Sequence, residues 1–334
     1  MTGLRCIAFT EKGFALARRL AAALDGTAVR CGGDVTLAGW TAEGFEQAKA
    51  LVFVGAVGIA VRACAPCLKS KDVDPAVVAV DECARFAVPL VSGHLGGAND
   101  LARQIAALCG AQAVITTATD ANGVFAVDSW AARQGCTVCP VGGIKTVSAK
   151  LLAGEQIRLR SDWPIKGTPP AGVLPVTDGP CDVHLTLAAP AEGEENALRV
   201  IPKILLAGIG CRKGTPMADI EAAVLAALQR AGADPLAVKG VTSIHCKGQE
   251  PGLVELCRVR GWEFTTFSPE VLAAQQGDFT DSEFVRKTVG TGNVCERSAV
   301  AAGGTLILQK QAGKGVTVAL ARLPFSPDWR WQYE

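Results

Sequence analysis

The chain has 334 residues, 49% hydrophobic and 19% charged, with a formal net charge of +1. At roughly 100 to 200 residues per domain that is material for two or three ordinary cores, which excludes wholesale disorder, and balanced charge excludes the cation excess typical of nucleic-acid or anionic-membrane binders. The longest apolar run, Ala50 to Val61, is too short for a bilayer span of about 18 residues or more, and Glu11 and Lys12 fall where a secretory segment is apolar, so a soluble cytoplasmic protein is expected.

In chain order, strands are predicted at Leu4 to Phe9, Leu51 to Val54, Val77 to Val80, Val88 to Val91 and Ala113 to Thr116. Helices fall between them at Phe14 to Leu24, Ile59 to Cys64 and Ala98 to Cys109, the last with a stripe of Leu101, Ile105 and Leu108. This is the alternation of a parallel sheet covered by helices, expected over residues 1–135. Over 136–202 the texture changes: seven of the 17 prolines lie between Pro164 and Pro202, although Val147 to Leu152 and Ile157 to Leu159 keep apolar periodicity. From 203 to 334 a second α/β unit opens on the apolar run ILLAGIG. A helix at Met217 to Ala231 carries Ile220, Val224, Leu225 and Leu228 on one face, and alternation continues to the strands Leu306 to Gln309 and Val316 to Ala319. The expected fold class is therefore α/β: two α/β domains with mostly parallel sheets joined by a small proline-rich middle domain.

Thirteen cysteines spread from Cys6 to Cys295 read as reduced thiols rather than a disulfide framework. The pairs Cys64/Cys67 and Cys136/Cys139 have zinc-ligand spacing but lack the turns of a zinc knuckle, so no metal site is expected.

Four junctions are rich in Gly and small polar residues: Gly55 to Gly58, Ser92 to Asn99, Gly208 to Thr215 and Gly290 to Asn293. In open α/β sheets ligands bind beyond the carboxyl ends of strands, where backbone N–H groups attract anions. None of the four has the spacing of a P-loop or a dinucleotide fingerprint, so a nucleotide-dependent enzyme is not favoured. One such turn alone is no more than a tight turn; four together suggest a cleft. His94, flanked by Gly93, Gly96 and Gly97 after an apolar strand, is the sharpest candidate for acid–base work, against the plainer reading of a histidine bonding backbone in a turn. His184 reads as a strand surface residue and His245 as a weaker candidate. Asp81 and Glu82 follow a strand and fit either a carboxylate that orients a histidine or a solvated turn. Asp120 follows another strand with Thr117 beside it. Arg62, Arg85, Arg212 and Lys213 near these edges suit a carboxylate-bearing small molecule.

Taken together, the stretches GAVGIAVR (55–62), VDECARFAVPLVSGHLGGAN (80–99), ITTATDANGVFAVD (115–128), SDWPIKG (161–167), GIGCRKGT (208–215) and GNVCERSA (292–299) resemble the cobalt-precorrin-5A hydrolase family, also called the cobalamin biosynthesis protein G family. The likeness runs through nearly the whole chain. It implies that water opens the ring-A δ-lactone of a cobalt-containing tetrapyrrole and that the bridging carbon, with its methyl group, leaves as acetaldehyde to give cobalt-precorrin-5B. Such chemistry wants a base near the water and N–H donors for the oxyanion. On the chemistry of the residues, His94 is the candidate base and the amides around Gly96 and Gly97 the candidate donors, with His94, Glu82 or Asp120 as alternatives for the later proton transfers. Substrate contacts are expected from Gly55, Gly58, Arg62, Ser92, Gly93, Gly96, Gly97, Asn99, Thr117, Gly208, Gly210, Arg212, Lys213, Thr215 and Asn293. The tetrapyrrole brings its own cobalt, so no cofactor is expected, nor a nucleic-acid or membrane partner. All four turns are expected to face one cavity between the two halves. The alternative is a non-catalytic tetrapyrrole carrier with the same loops and no base.

Overall fold

The computed structural model describes residues 2–70, 73–190 and 197–331. The N-terminal part comprises β1 (Thr2–Ala8), α1 (Glu11–Ala23), β2 (Gly26–Arg30), α2 (Leu37–Gln47), β3 (Ala48–Val54), α3 (Val57–Cys64), β4 (Ala76–Val80), β5 (Phe86–Val91), α4 (Ala98–Cys109) and β6 (Gln112–Ala113). These strands form one six-stranded sheet in the order β2-β1-β3-β4-β5-β6. The helices α1 and α2 form where a side-chain cap and an apolar face coincide. Thr10, for instance, accepts the Gly13 N–H at 3.0 Å, and α1 then buries Leu16, Ala17 and Leu20. On α4 the buried face runs through Leu101, Ala102 and Ile105, while Leu108 turns outward at 48% exposure, so the expected stripe is one residue too long.

Within this sheet β1, β2, β3 and β4 are parallel, but β5 runs antiparallel to β4, with Val77 opposite Val91 and Val80 opposite Ala87. Five residues join the two strands, and a parallel crossover needs a dozen or more. The Asp81 carboxylate closes the turn by accepting the N–H groups of Cys83, Arg85 and Phe86 at 2.9, 2.8 and 2.7 Å. This reversal decides where the glycine turns go.

The middle region is a folded unit. After α5 (Ala118–Ala121) and α6 (Val127–Arg133) come β7 (Cys136–Cys139), α7 (Gly143–Leu152), β8 (Ile157–Ser161), β9 (Val173–Val176), β10 (Val183–Leu185) and β11 (Leu198–Pro202), giving a five-stranded sheet in the order β7-β11-β10-β8-β9. Its core reaches back to Phe125 and to Val127 and Trp130 on α6, and takes in Trp329 from the C-terminal tail. The last part holds β12 (Leu205–Cys211), α8 (Met217–Arg230), β13 (Val238–Ile244), α9 (Pro251–Arg260), β14 (Glu263–Phe267), α10 (Pro269–Ala273), α11 (Glu283–Val289), α12 (Cys295–Ala301), β15 (Thr305–Gly313) and β16 (Val316–Arg322). Its sheet has the order β14-β13-β12-β16-β15, with β12, β13 and β14 parallel, β16 antiparallel to β12, and β15 antiparallel to β16. The whole is mixed α/β with mostly parallel sheets. Among the described residues no helix is long and apolar enough to cross a membrane.

Candidate functional site

The antiparallel β5 sends the two N-terminal glycine turns to opposite edges of the first sheet. Gly55 to Gly58 follow the carboxyl end of β3, beside Glu82 at the carboxyl end of β4; Ser92 to Asn99 leave β5 next to the start of β4, where the Ser92 hydroxyl donates to the Asp74 carbonyl at 2.8 Å. A strand of five residues separates those edges by about 17 Å. The expectation that all four turns share one cavity therefore fails. So does any pairing of Glu82 with His94, since Glu82 accepts instead from the Thr10 hydroxyl at 2.7 Å. On that edge Arg62 donates to the Gly58 carbonyl at 3.3 Å, and Gly55 is glycine because a Cβ there would stand 2.7 Å from the Phe9 ring.

On the other edge β6 runs parallel to β5, which brings the residues after it onto His94. Nε2 of His94 lies 2.7 Å from Oδ2 of Asp120, and Nδ1 lies 3.1 Å from Oδ1 of Asp128 at the start of α6. Asp120 also accepts from Arg103 at 2.5 Å, from Asn99 at 3.1 Å and from Thr117. The cluster is almost closed to solvent, with side-chain exposures of 13% for His94, 12% for Asp120 and 8% for Asp128. Burial alone disfavours an imidazolium, but hydrogen bonds and charge from the two carboxylates outweigh it and raise the His94 pKa to about 9. Burial likewise opposes the Asp120 anion, and donors from His94, Thr117 and Arg103 overcome it, holding that carboxyl far below its usual range. At neutral pH the cluster is thus an imidazolium held between Asp120 and Asp128 with both ring nitrogens engaged, which suits the acid half of the expected acid–base role rather than the base half. Three amides of the turn, those of Gly97, Ala98 and Asn99, are also committed. The Gly97 N–H donates to the His94 carbonyl at 2.9 Å and the Asn99 N–H to the Gly93 carbonyl at 2.9 Å. Gly93 and Gly96 are packing glycines, since a Cβ would stand 2.8 Å from Oδ1 of Asn99 and 2.4 Å from Cβ of Ser92.

The C-terminal turns do converge. At the carboxyl ends of β12 and β13 a cavity of about 890 Å³ opens, lined by Gly210 to Gly214, Lys247, Glu250, Asn293, Lys310 and Thr317 among others. No residue of the first two sheets lines it. Four cations, Arg212, Lys213, Lys247 and Lys310, face one carboxylate, Glu250, and Ile244, Val285 and Val294 supply apolar wall. Two of the expected contacts sit elsewhere. Gly208 is buried beneath α12, where a Cβ would fall 1.8 Å from the Cys295 carbonyl oxygen, and Thr215 is buried, donating to the Arg212 carbonyl at 2.8 Å.

His184 is not a surface residue. It sits on the central strand of the middle sheet at 7% exposure, with Nε2 3.2 Å from Asp162. His245 is exposed in the short turn after β13. All thirteen cysteines are free thiols, and the two CxxC pairs lie in separate parts of the fold. Sequence reasoning missed Asp128 and Arg103, and in the cavity Lys247, Glu250 and Lys310. Asp128 closed a stretch already singled out, an acid on the first turn of an amphipathic helix, and that was its signal. For Lys310 there was none, because β15 reaches the cavity only through antiparallel pairing across β16.

Three family models match in order: cobalamin synthesis G N-terminal over residues 39–120, the cobalamin biosynthesis central region over 125–180, and cobalamin synthesis G C-terminus over 205–321. The cobalt-precorrin-5A hydrolase of Salmonella typhimurium is 37% identical over 337 residues, covering 93% of this chain and 95% of its own length. That of Priestia megaterium is 33% identical over 304 residues, covering 84% of this chain and 80% of its own. A solved structure of a cobalamin biosynthesis protein G homologue from Sulfolobus solfataricus aligns over 96% of this chain and 97% of its own at 22% identity, with a TM-score of 0.43.

Proposed function

Because the chain belongs to the cobalamin synthesis G family, we infer that it is a cobalt-precorrin-5A hydrolase and that the β12–β13 cavity seats the tetrapyrrole. The observation that carries the seat is charge: four cations against one carboxylate in about 890 Å³. A macrocycle with several acetate and propionate arms needs fixed cations at its rim and apolar wall against its face, and pockets of roughly 300 to 1,000 Å³ are the usual range of small-molecule and cofactor sites. Thirteen free thiols suit a reducing, cytoplasmic setting.

Lactone opening bonds the water oxygen to the acyl carbon and releases the ring oxygen as an alcohol, one proton leaving the water and one reaching the alcohol. Acetaldehyde then departs as that alcohol loses its proton, the carbon–carbon bond breaks, and the macrocycle carbon takes the electron pair and a proton. An imidazolium between carboxylates suits the second delivery, so we assign His94 as proton donor, with Asp120 holding it charged and oriented. Glu82, across the sheet, has no part in that step. This assignment requires the N-terminal and C-terminal sheets to approach each other around the bound ring.

A second reading is favoured by the engagement of both ring nitrogens: His94 clamps the first sheet to α6 and does no chemistry. Acetaldehyde release from cobalt-precorrin-5A, read by coupled reduction, separates the two. A donor lost in His94→Ala costs about a hundredfold or more in kcat, whereas a folded variant releasing acetaldehyde at the wild-type rate makes His94 a clamp. Wild-type protein that binds the substrate and releases no acetaldehyde contradicts the hydrolase reading itself.

A further inference from the structure

One ion pair on the cavity wall has no role in the chemistry above. Lys247 and Glu250 lie in the turn between β13 and α9, with Nζ 2.7 Å from Oε2, and both line the cavity. Their side chains are 15% and 6% exposed, so this is not a solvated surface pair. The other oxygen of Glu250 accepts the Gly214 N–H at 2.6 Å, in the turn that follows β12, where Gly214 has φ of 75°. One carboxylate thereby ties together the two turns that leave neighbouring parallel strands. Among the described residues Lys247 is the one cation of the four that is held in an ion pair. Hydrogen bonds from Lys247 and the Gly214 amide keep the Glu250 carboxyl below its usual range, so it stays charged and is a poor proton acceptor. Its contribution is fixed charge and geometry.

We propose that Lys247 anchors a carboxylate arm of the substrate and that Glu250 is the positioning residue that aims it. An ammonium has three N–H donors, and the bond to Glu250 leaves two for a ligand. Holding a flexible four-carbon side chain in place before binding removes the ordering cost that a free lysine pays on contact. The same bond to Gly214 keeps the neighbouring Arg212 and Lys213 turn in register with Lys247. This inference rests on the reading that the cavity seats the tetrapyrrole.

The test is a double-mutant cycle on the full chain, with KM and kcat for acetaldehyde release and binding of cobalt-precorrin-5A by visible absorbance measured in parallel. Glu250→Gln keeps an oxygen for the Gly214 N–H and removes the charge that holds Lys247. Loss of a charge-assisted bond at Lys247→Ala is expected to weaken binding and raise KM about tenfold. Glu250→Gln is expected to raise KM by about threefold to tenfold, and the double variant no further than Lys247→Ala alone, because Glu250 acts through Lys247. Lys247→Arg restores most of the binding, and kcat falls less than KM rises. Additive effects, unchanged binding in either single variant, or a loss confined to kcat would overturn the proposal. Because binding is read separately, a wild-type chain that binds and does not turn over defeats the hydrolase reading alone. A chain that binds no tetrapyrrole defeats the seat and this inference with it.

Discussion

The His94 cluster makes a pH-dependent contribution to stability that can be worked out in advance. In the unfolded chain His94 titrates near 6.5; in the folded protein its pKa is about 9. Below pH 6.5 both states carry the proton and the full increment is present. Between 6.5 and 9 the folded state keeps a proton that the unfolded state has lost, so stability falls as pH rises, and above 9 the increment is gone. The difference corresponds to about 3 kcal/mol, a figure that needs little reduction for solvent because the imidazole is 13% exposed. Asp120 works in the opposite sense: its depressed pKa adds stability above pH 3.8 that is lost only in strong acid. Urea unfolding of the wild type and His94→Asn, followed by tryptophan emission, reads this directly, since Trp130 is buried two residues from Asp128. The variant is expected to be about 3 kcal/mol less stable at pH 6 and within about 1 kcal/mol at pH 9.5. A gap that does not change with pH would refute the charged cluster.

Gly208→Ala places a methyl group against the Cys295 carbonyl and is expected to cost about 3 kcal/mol or more, visible as a lowered melting temperature; a wild-type melt would place the need for glycine elsewhere. Arg199 pairs with Asp234 at 2.5 Å, both side chains about nine-tenths buried, joining β11 to the last domain. Removing it as Arg199→Ala strands a buried carboxylate at a cost of about 3 to 5 kcal/mol in urea unfolding; a smaller loss would mean that water replaces the guanidinium. Under native conditions at pH 8, mass spectrometry after timed alkylation should find Cys83 and Cys246 labelled first. Burial pushes Cys6, Cys64 and Cys136 up to about 12 and Cys257 and Cys295 to about 11, so these resist labelling until the chain unfolds. Equal rates at Cys6 and Cys83 would contradict the packing of the first sheet.

Local pattern carried much of the fold. The runs that became β1, β3, β4 and β12 and the helices α1, α4 and α8 are legible as apolar periodicity because both ends of each signal lie within one element. The neighbourhood of His94 and Asp120 was legible too, since each follows an apolar run by a few residues. What local pattern does not encode is direction. The five residues between β4 and β5 held the information that β5 turns back, and with it that Glu82 and His94 part company, but only if the length of the connection is weighed above the parallel texture around it. Glycine carries the same ambiguity. Gly208 and Gly210 share one motif, yet one faces α12 and the other the cavity, and only the packing of α12 across β12 tells them apart. His184 looked outward because its run alternates. It is buried because β10 ends up in the centre of a sheet of short strands, two of which, β9 and β11, carry prolines.

The central claim is that the tetrapyrrole sits in the β12–β13 cavity, and its most direct measurement is acetaldehyde release from cobalt-precorrin-5A by the full chain beside an Arg212→Ala, Lys213→Ala double variant. With two rim cations gone, KM is expected to rise tenfold or more, about 1.4 kcal/mol of lost binding at the least, while the protein melts as the wild type does. A folded double variant with an unchanged KM would place the substrate somewhere else on the molecule.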